Sequence, residues 1–388
     1  MISVAEAKKI IAGNFLILPK VILPLQDAMQ LKLASAIYSP ADSPAFPQSS
    51  MDGYAFTYSD WQAKKKLSVD GEMQAGSKAA FSIATGQAVR IFTGAPLPTG
   101  ADTVIMQEKV TVINNELHIN DETLQPGNSV RAKGSAIKAG ELALAKDSLL
   151  SPGAIGFLAG MGISKVTVFA RPSVSIIVTG KELQQPGIDL AYGEVYESNS
   201  FSLKAVLNQL QIRDIKIYSA DDELELVKQV LNEALANSNM VLLTGGVSVG
   251  DYDFVVQAAA ACGVTKLFHK IKQRPGKPLY FGKKENKLVF GLPGNPSSVL
   301  TCFYEYVLPA LQSGLMALHI PLAKSFQKPA GLTHFLKGWY DGKTVMPLDA
   351  QESYQMSSFA KANCLIKVDE EITVCKEGEL TEIHLLPF

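Results

Sequence analysis

Residues 240–253 read Met-Val-Leu-Leu-Thr-Gly-Gly-Val-Ser-Val-Gly-Asp-Tyr-Asp. Met240–Leu243 is a short apolar run of the kind that makes a buried strand, the glycines after it break the strand, and residues 252–261 carry a helical pattern. The flanks repeat this unit. Ser173–Val178 is a β-branched run ending in Thr179-Gly180, Phe201–Leu210 is helical, and Ile215–Tyr218 is another strand. Asp221-Asp222 stands where an N-cap would start a helix over Glu223–Ala236, whose apolar residues fall at 224, 227, 231 and 235. Alternating β and α segments predict a mostly parallel sheet with helices on both faces, a three-layer α/β domain. Ligands in such sheets bind beyond the carboxyl ends of the strands.

The chain has 388 residues, which at roughly 150 residues per domain leaves room for two to four domains. It is 47% hydrophobic and 19% charged, enough to bury several cores. With 36 Lys+Arg against 37 Asp+Glu the formal net charge is -1, without the basic excess that nucleic-acid and membrane-surface partners select for. Cys262, Cys302, Cys364 and Cys375 are widely spaced and show neither C-x-x-C pairs nor zinc-ligand spacing, as expected of buried thiols in a reducing compartment. Acid and base within Met1–Lys9 argue against a signal peptide, and the longest apolar runs fall far short of the roughly 20 residues of a membrane span. The expected location is the cytoplasm.

Outside the sheet domain the texture differs. Ser3–Ile11 and Leu25–Ala36 look amphipathic and helical, and Pro40, Pro44 and Pro47 read as a linker. Residues 45–136 are short strands and turns, among them Ala88–Phe92 and Val104–Gln107. Asn114-Asn115 sits as a hairpin turn between Val110–Ile113 and Leu117–Ile119. From about 317 onward short strands return, at Leu365–Val368, Ile372–Cys375 and Glu382–Leu386, and close the chain with a small β module.

Chemistry concentrates at loops where strands meet helices. Gly245, Gly246 and Gly250 let backbone N–H groups approach an anion ahead of a helix N-terminus. No Walker A loop and no G-x-G-x-x-G occurs. G-x-S-x-G does occur at 246–250, so Ser248 is weighed as a hydrolase nucleophile, but no H-G-G-G-type loop precedes it. In Gly291-Leu292-Pro293-Gly294-Asn295-Pro296, Asn295 suits an N-cap and Pro296 the first helical position. Lys270, Lys272, Arg274 and Lys277 crowd around Pro275-Gly276, where an oxyanion would be met. Asp52, Glu182, Asp221-Asp222 and Asp253 are acids in turns, and oxygen donors beside a phosphate cradle suit Mg²⁺. The residues by themselves describe an α/β protein that handles a phosphorylated ligand with Mg²⁺ and an oxyanion.

Six segments in order carry a resemblance. Ser50-Met51-Asp52-Gly53-Tyr54-Ala55, Thr93-Gly94-Ala95-Pro96, Thr179-Gly180-Lys181-Glu182-Leu183, Thr244 to Gly250, Pro275-Gly276-Lys277-Pro278 and Gly291 to Pro296 resemble the molybdopterin molybdenumtransferase (MoeA) family, relatives of the gephyrin E domain. The resemblance implies a homodimer of four-domain subunits. Their bounds would be 1–40 with 137–170 for an elongated N-terminal and linker domain, 41–136 for a β-rich domain completing the partner's site, 171–316 for the molybdopterin-binding α/β domain, and 317–388 for a small β-barrel-like domain. It implies insertion of molybdenum from molybdate into adenylylated molybdopterin with release of AMP, the substrate coming from an adenylyltransferase partner. The dithiolene of that substrate supplies soft sulfur ligands itself, so no cysteine cluster is needed.

By match, Asp52, Glu182, Asp221 and Asp253 would be the catalytic acids, the last three also holding Mg²⁺, with Asp221 and Asp222 both open for one of those places. Thr93, Gly94, Thr179, Gly180, Gly245, Gly246, Ser248, Gly250, Lys272, Arg274, Lys277, Pro293, Asn295, Pro296 and Ser353 would bind substrate. The chain departs from the family pattern in Ser135-Ala136, which follow the basic turn Arg131-Ala132-Lys133 where acids are often found, and in Glu352 and Tyr354 around Ser353. Two other readings stay in view, a molybdopterin adenylyltransferase and a non-enzymatic molybdopterin-binding scaffold. The extra β modules argue against the first and the full set of acids against the second.

Overall fold

In the computed structural model, which describes residues 1–77, 81–247, 254–311 and 314–387, the chain divides into two units. One comprises 1–19 and 171–388, the other 20–170. The first begins with helix α1 (Val4–Ala12), started by a capping box in which the Ser3 hydroxyl accepts from the Glu6 N–H and the Glu6 carboxylate accepts from the Ser3 N–H. Caps of this kind contribute about 1 kcal/mol. Its buried face, Val4, Ala7 and Ile11, joins the core of the sheet domain.

That sheet is built from β1 (Val174–Thr179), α2 (Asn199–Gln209), β2 (Ile215–Ala220), α3 (Leu224–Asn237), β3 (Met240–Thr244), α4 (Phe254–Ala261), β4 (Thr265–His269), β5 (Tyr280–Lys284), β6 (Lys287–Leu292) and α5 (Pro296–Cys302). The spatial order is β2-β1-β3-β6-β5-β4. β2, β1, β3 and β6 run parallel, β5 turns back antiparallel to β6, and β4 antiparallel to β5. Successive side chains of a strand point to opposite faces. Hence Ile176, Leu242 and Phe290 pack with α2 and α5 on one face, and Ile177, Val241, Leu243 and Val289 with α3 and α4 on the other. Every residue of β1 and β3 is buried, as a sheet covered on both faces requires. The three-layer α/β expectation holds.

α5 runs on through a π-helical turn, Phe303–Val307. A second sheet then forms from β7 (Met316–Pro321), β8 (Thr333–Tyr340), β9 (Cys364–Val368) and β10 (Leu380–Leu385), in the order β8-β9-β10-β7. Its outer neighbour on β8 is the two-residue strand Gln273–Arg274. The basic loop is therefore stitched into the C-terminal sheet.

The second unit holds a six-stranded sheet in the order 103–106, 53–56, 87–91, 67–73, 116–119, 110–113. Asn114 and Asn115 have φ of 49° and 67°, the left-handed pair that a tight hairpin turn demands, so the expected turn is present. The expected helix over Leu25–Ala36 is not. Only Leu25–Asp27 form a 3₁₀ turn, and the Gln30 and Leu33 N–H groups go instead to the Leu150 and Ser148 carbonyls. Leu31 and Leu33 are apolar because this segment pairs across the unit, with Leu33 opposite Val168, and tertiary pairing overrides the local period. The proline stretch read as a linker is likewise held, Ser43 pairing with Ile137. Among the described residues no helix is long and apolar enough to cross a membrane.

Candidate functional site

The register of the sheet aligns Val178 with Thr244 and Thr244 with Leu292, so the loops after β1, β3 and β6 leave from one edge. There they border a cleft of about 830 Å³ in the first unit. Gly245 has φ +90°, and a Cβ on it would lie 2.7 Å from both the carbonyl and hydroxyl oxygens of Thr179, so the close approach of β1 and β3 excludes any larger residue.

Thr179, Glu182, Gly245, Gly246, Arg274, Lys277, Pro293, Asn295, Pro296 and Ser353 all line this cleft. Of the Asp221-Asp222 pair it is Asp222 that lines it. Neither caps α3, whose N-cap position is Glu223, without a side-chain hydrogen bond. Burial raises the Asp222 pKa above the usual carboxylate range; the Thr179 hydroxyl opposes the shift, and the charges of Glu182 and Asp221 add to it. Gly180 borders Glu182 without lining the cleft, a Cβ there falling 3.0 Å from the carboxylate oxygens. Ser248, Gly250 and Asp253 lie outside the described residues.

The basic loop splits its labour. Lys272 faces Glu370 at 3.6 Å, outside the cleft lining, and Arg274 pairs with Glu352 at 3.1 Å on its rim. Lys277 has no carboxylate partner among the described residues, which leaves its ammonium for an oxyanion. Asn295 sits at the N-cap of α5, yet its Nδ2 donates to Ser353 Oγ at 2.7 Å instead of capping the helix. The Ser353 carbonyl accepts from the Ser297 N–H at 3.1 Å, and this pair of contacts pins the C-terminal module to the start of α5.

Asp52, Thr93 and Gly94 belong to the second unit. There Asp52 Oδ1 accepts from the N–H and the hydroxyl of Thr93, each at 2.7 Å, and these bonds hold its pKa below the usual range. The carboxylate is thus oriented and kept ionised.

Three groups escape sequence reasoning. Glu197, 3% exposed, lines the cleft and accepts from the N–H and hydroxyl of Ser200. Asn199 lines it too. Lys337, in β8, is fully buried and donates to Ser297 Oγ at 3.1 Å, and burial lowers its pKa to about 8. Glu197-Ser198-Asn199 reads as ordinary helix-start chemistry, and one lysine in an apolar β run carries no local signal. Among the described residues no three Asp, Glu, His or Cys side chains converge as a metal centre. The cleft therefore joins carboxylates and cations, a set suited to a multiply charged phosphate ester.

Comparison with known proteins matches three consecutive segments of the chain. Residues 2–162 match the MoeA N-terminal region (domain I and II), 175–313 a probable molybdopterin binding domain, and 319–386 the MoeA C-terminal region (domain IV). A molybdopterin molybdenumtransferase of Haemophilus influenzae is 35% identical over 382 residues, covering 94% of each chain. One from Staphylococcus aureus is 31% identical over 401 residues, 99% of this chain and 95% of its own. A crystal structure of a molybdopterin biosynthesis MoeA protein from Pyrococcus horikoshii superposes with a TM-score of 0.84 at 27% identity, over 100% of both chains.

Proposed function

The chain belongs to the molybdopterin molybdenumtransferase family, and on that premise we propose that it inserts molybdenum from molybdate into adenylylated molybdopterin, releasing AMP, in molybdenum cofactor biosynthesis. The observation that carries the reading is one cleft joining Glu182 and Asp222 to Arg274 and Lys277 in a chain that matches the family over nearly its whole length. Molybdate and the phosphoanhydride are both anionic, so bringing them together needs fixed positive charge. Lys277 and Arg274 supply it.

The acids do the opposite work. Asp222 shares its surroundings with Glu182 and Asp221, and a hard divalent cation would relieve their mutual repulsion. Their oxygen donors fit Mg²⁺, with Glu182, Asp222 and Asp253 as its holders, and when bound the ion supplies charge neutralisation at the phosphoanhydride. We assign the four domains the bounds that the resemblance implies, except that residues 1–19 with α1 fall in the unit of the sheet. A homodimer is part of the proposal, Asp52 with Thr93 and Gly94 serving the cleft of the second copy. An adenylyltransferase would deliver the substrate. Four free, buried cysteines suit a cytoplasmic location.

The test is to mix purified protein with adenylylated molybdopterin and molybdate. Molybdate-dependent AMP release together with cofactor that activates an apo-molybdoenzyme is expected. Formation of adenylylated molybdopterin from ATP would identify an adenylyltransferase, and binding without turnover a scaffold.

A further inference from the structure

Two buried side-chain polar atoms among the described residues have no hydrogen-bond partner, Asn199 Oδ1 and Thr244 Oγ1. Both residues line the one cleft, Asn199 at the start of α2 and Thr244 at the end of β3. They are 8% and 1% exposed. Leaving such an atom unpaired costs about 1–3 kcal/mol, so two on the wall of one cleft point to a ligand that completes them. We propose that Asn199 and Thr244 receive the amino-bearing edge of the pterin ring, an inference that rests on the function proposed above.

The chemistry of the wall selects the ligand group. Asn199 Nδ2 donates to the Gly294 carbonyl at 2.8 Å, and since a carbonyl only accepts, the amide orientation is fixed and Oδ1 remains an acceptor. Beside it Glu197 presents a carboxylate, also an acceptor, locked by Ser200. Phosphate and molybdate oxygens accept hydrogen bonds too and are repelled by such a wall, so they belong with Arg274 and Lys277. Asn199 Oδ1 and the Glu197 carboxylate therefore take N–H donors, while the Thr244 hydroxyl can accept or donate. Adenylylated molybdopterin carries two amino heterocycles. The pterin edge sets its amino group beside a ring N–H, two adjacent donors for Asn199 Oδ1 and the Glu197 carboxylate, with the Thr244 hydroxyl accepting or donating beside them, whereas the adenine amino group stands next to a ring acceptor that the carboxylate would repel. The pterin is the better match.

Thr244→Val tests this, because it is nearly isosteric and removes only the hydroxyl. With no partner lost in the free protein, the thermal midpoint stays the same or rises. Affinity for molybdopterin, measured by calorimetry, falls about 5–10-fold, and so does affinity for the adenylylated form, while affinity for AMP is unchanged. A lowered midpoint with unchanged molybdopterin affinity overturns the inference, since the hydroxyl would then have a structural partner. A loss confined to AMP overturns it in favour of adenine. If the parent protein itself does not bind adenylylated molybdopterin, the proposed function fails; if the parent binds and Thr244→Val binds equally, only this inference does.

Discussion

Asn199 and Thr244 each bury a polar atom that no described residue satisfies, whereas Glu305 and His384, in the same unit, are buried as deeply and are fully paired. Glu305, in the π-helical turn after α5, accepts from Lys8 of α1 at 2.6 Å and from His384 Nδ1 of β10 at 2.6 Å. His384 Nε2 faces Glu382 at 2.9 Å, and Glu382 accepts from Lys367 of β9 at 2.8 Å. Carboxylates only accept, so both ring nitrogens of His384 donate and the ring is an imidazolium. The π-helical turn re-aims Glu305 to reach partners on two other elements. A closed network of this kind ties the C-terminal sheet to the α/β domain. An open one, as in the cleft, is held ready for a ligand.

The contrast predicts that damage to the two regions has different currencies. The largest effect is expected for Glu305→Ala, which leaves a buried imidazolium and a lysine unpaired. Breaking a buried pair from one side costs about 3–5 kcal/mol, to be read from urea unfolding, while turnover per folded molecule stays near the parent value. Lost turnover with intact stability would erase the distinction. Asp52→Asn is the counterpart in chemistry. Its stability cost is small, but AMP release on adding molybdate to the preloaded variant should slow by about 10²–10⁴-fold. Release at the parent rate would reduce Asp52 to a turn residue that orients Thr93.

Gly276→Ala probes the seam between the regions. Gly276 has φ +87°, and an added Cβ would fall 2.4 Å from Cys302 Sγ and 2.8 Å from Gln273 Nε2. Something must shift, at about 1–3 kcal/mol, and the loop carrying Arg274 and Lys277 shifts with it. A raised KM for molybdate should accompany the lost stability. Lost stability with unchanged KM would show that the loop is anchored from its Glu352 side instead.

What the sequence made legible divides along the same line. Strand-loop-helix units such as Met240 to Ala261 and the Asn114-Asn115 hairpin are local, so period and turn chemistry reveal them. Most motif residues of the cleft follow directly from those units, since the ends of parallel strands share an edge. Leu25–Ala36 was opaque because its partners, Ser148 to Leu150 and Val168, lie more than a hundred residues away. Lys337 and the Glu305 cluster were opaque for the same reason: a buried charge is recognisable only once its partners are placed around it. Asp221 and Asp222 were inseparable in sequence, and only the folded loop after β2 shows that Asp222 is the one on the cleft.

The smallest effect expected is the pH dependence of the closed network. Burial alone would lower the His384 pKa, but the hydrogen bond and charge of Glu305 raise it above the ordinary value. A group held protonated contributes fully below its unfolded pKa of about 6.5, and the contribution is lost as pH rises through the higher folded value. The carboxylates run the other way. Burial alone would raise Glu382, but Lys367 and His384 bring it to about 2, and His384 and Lys8 likewise hold Glu305 down. Their contribution is present above the ordinary glutamate range and fades on acidification. Other groups overlay these slopes: His334, lowered by burial to about 4, favours the fold as pH rises from 4 to 6.5, and Lys337, lowered to about 8, does so between 8 and 10.5. Subtracting a His384→Gln variant from the parent isolates the imidazolium. The stability deficit of the variant, from urea midpoints at each pH, should be largest near pH 6 and about 1 kcal/mol smaller once pH has passed the raised His384 value. A deficit that holds constant or grows with pH would mean that His384 is neutral in the fold, and the network would then be as incomplete as the cleft.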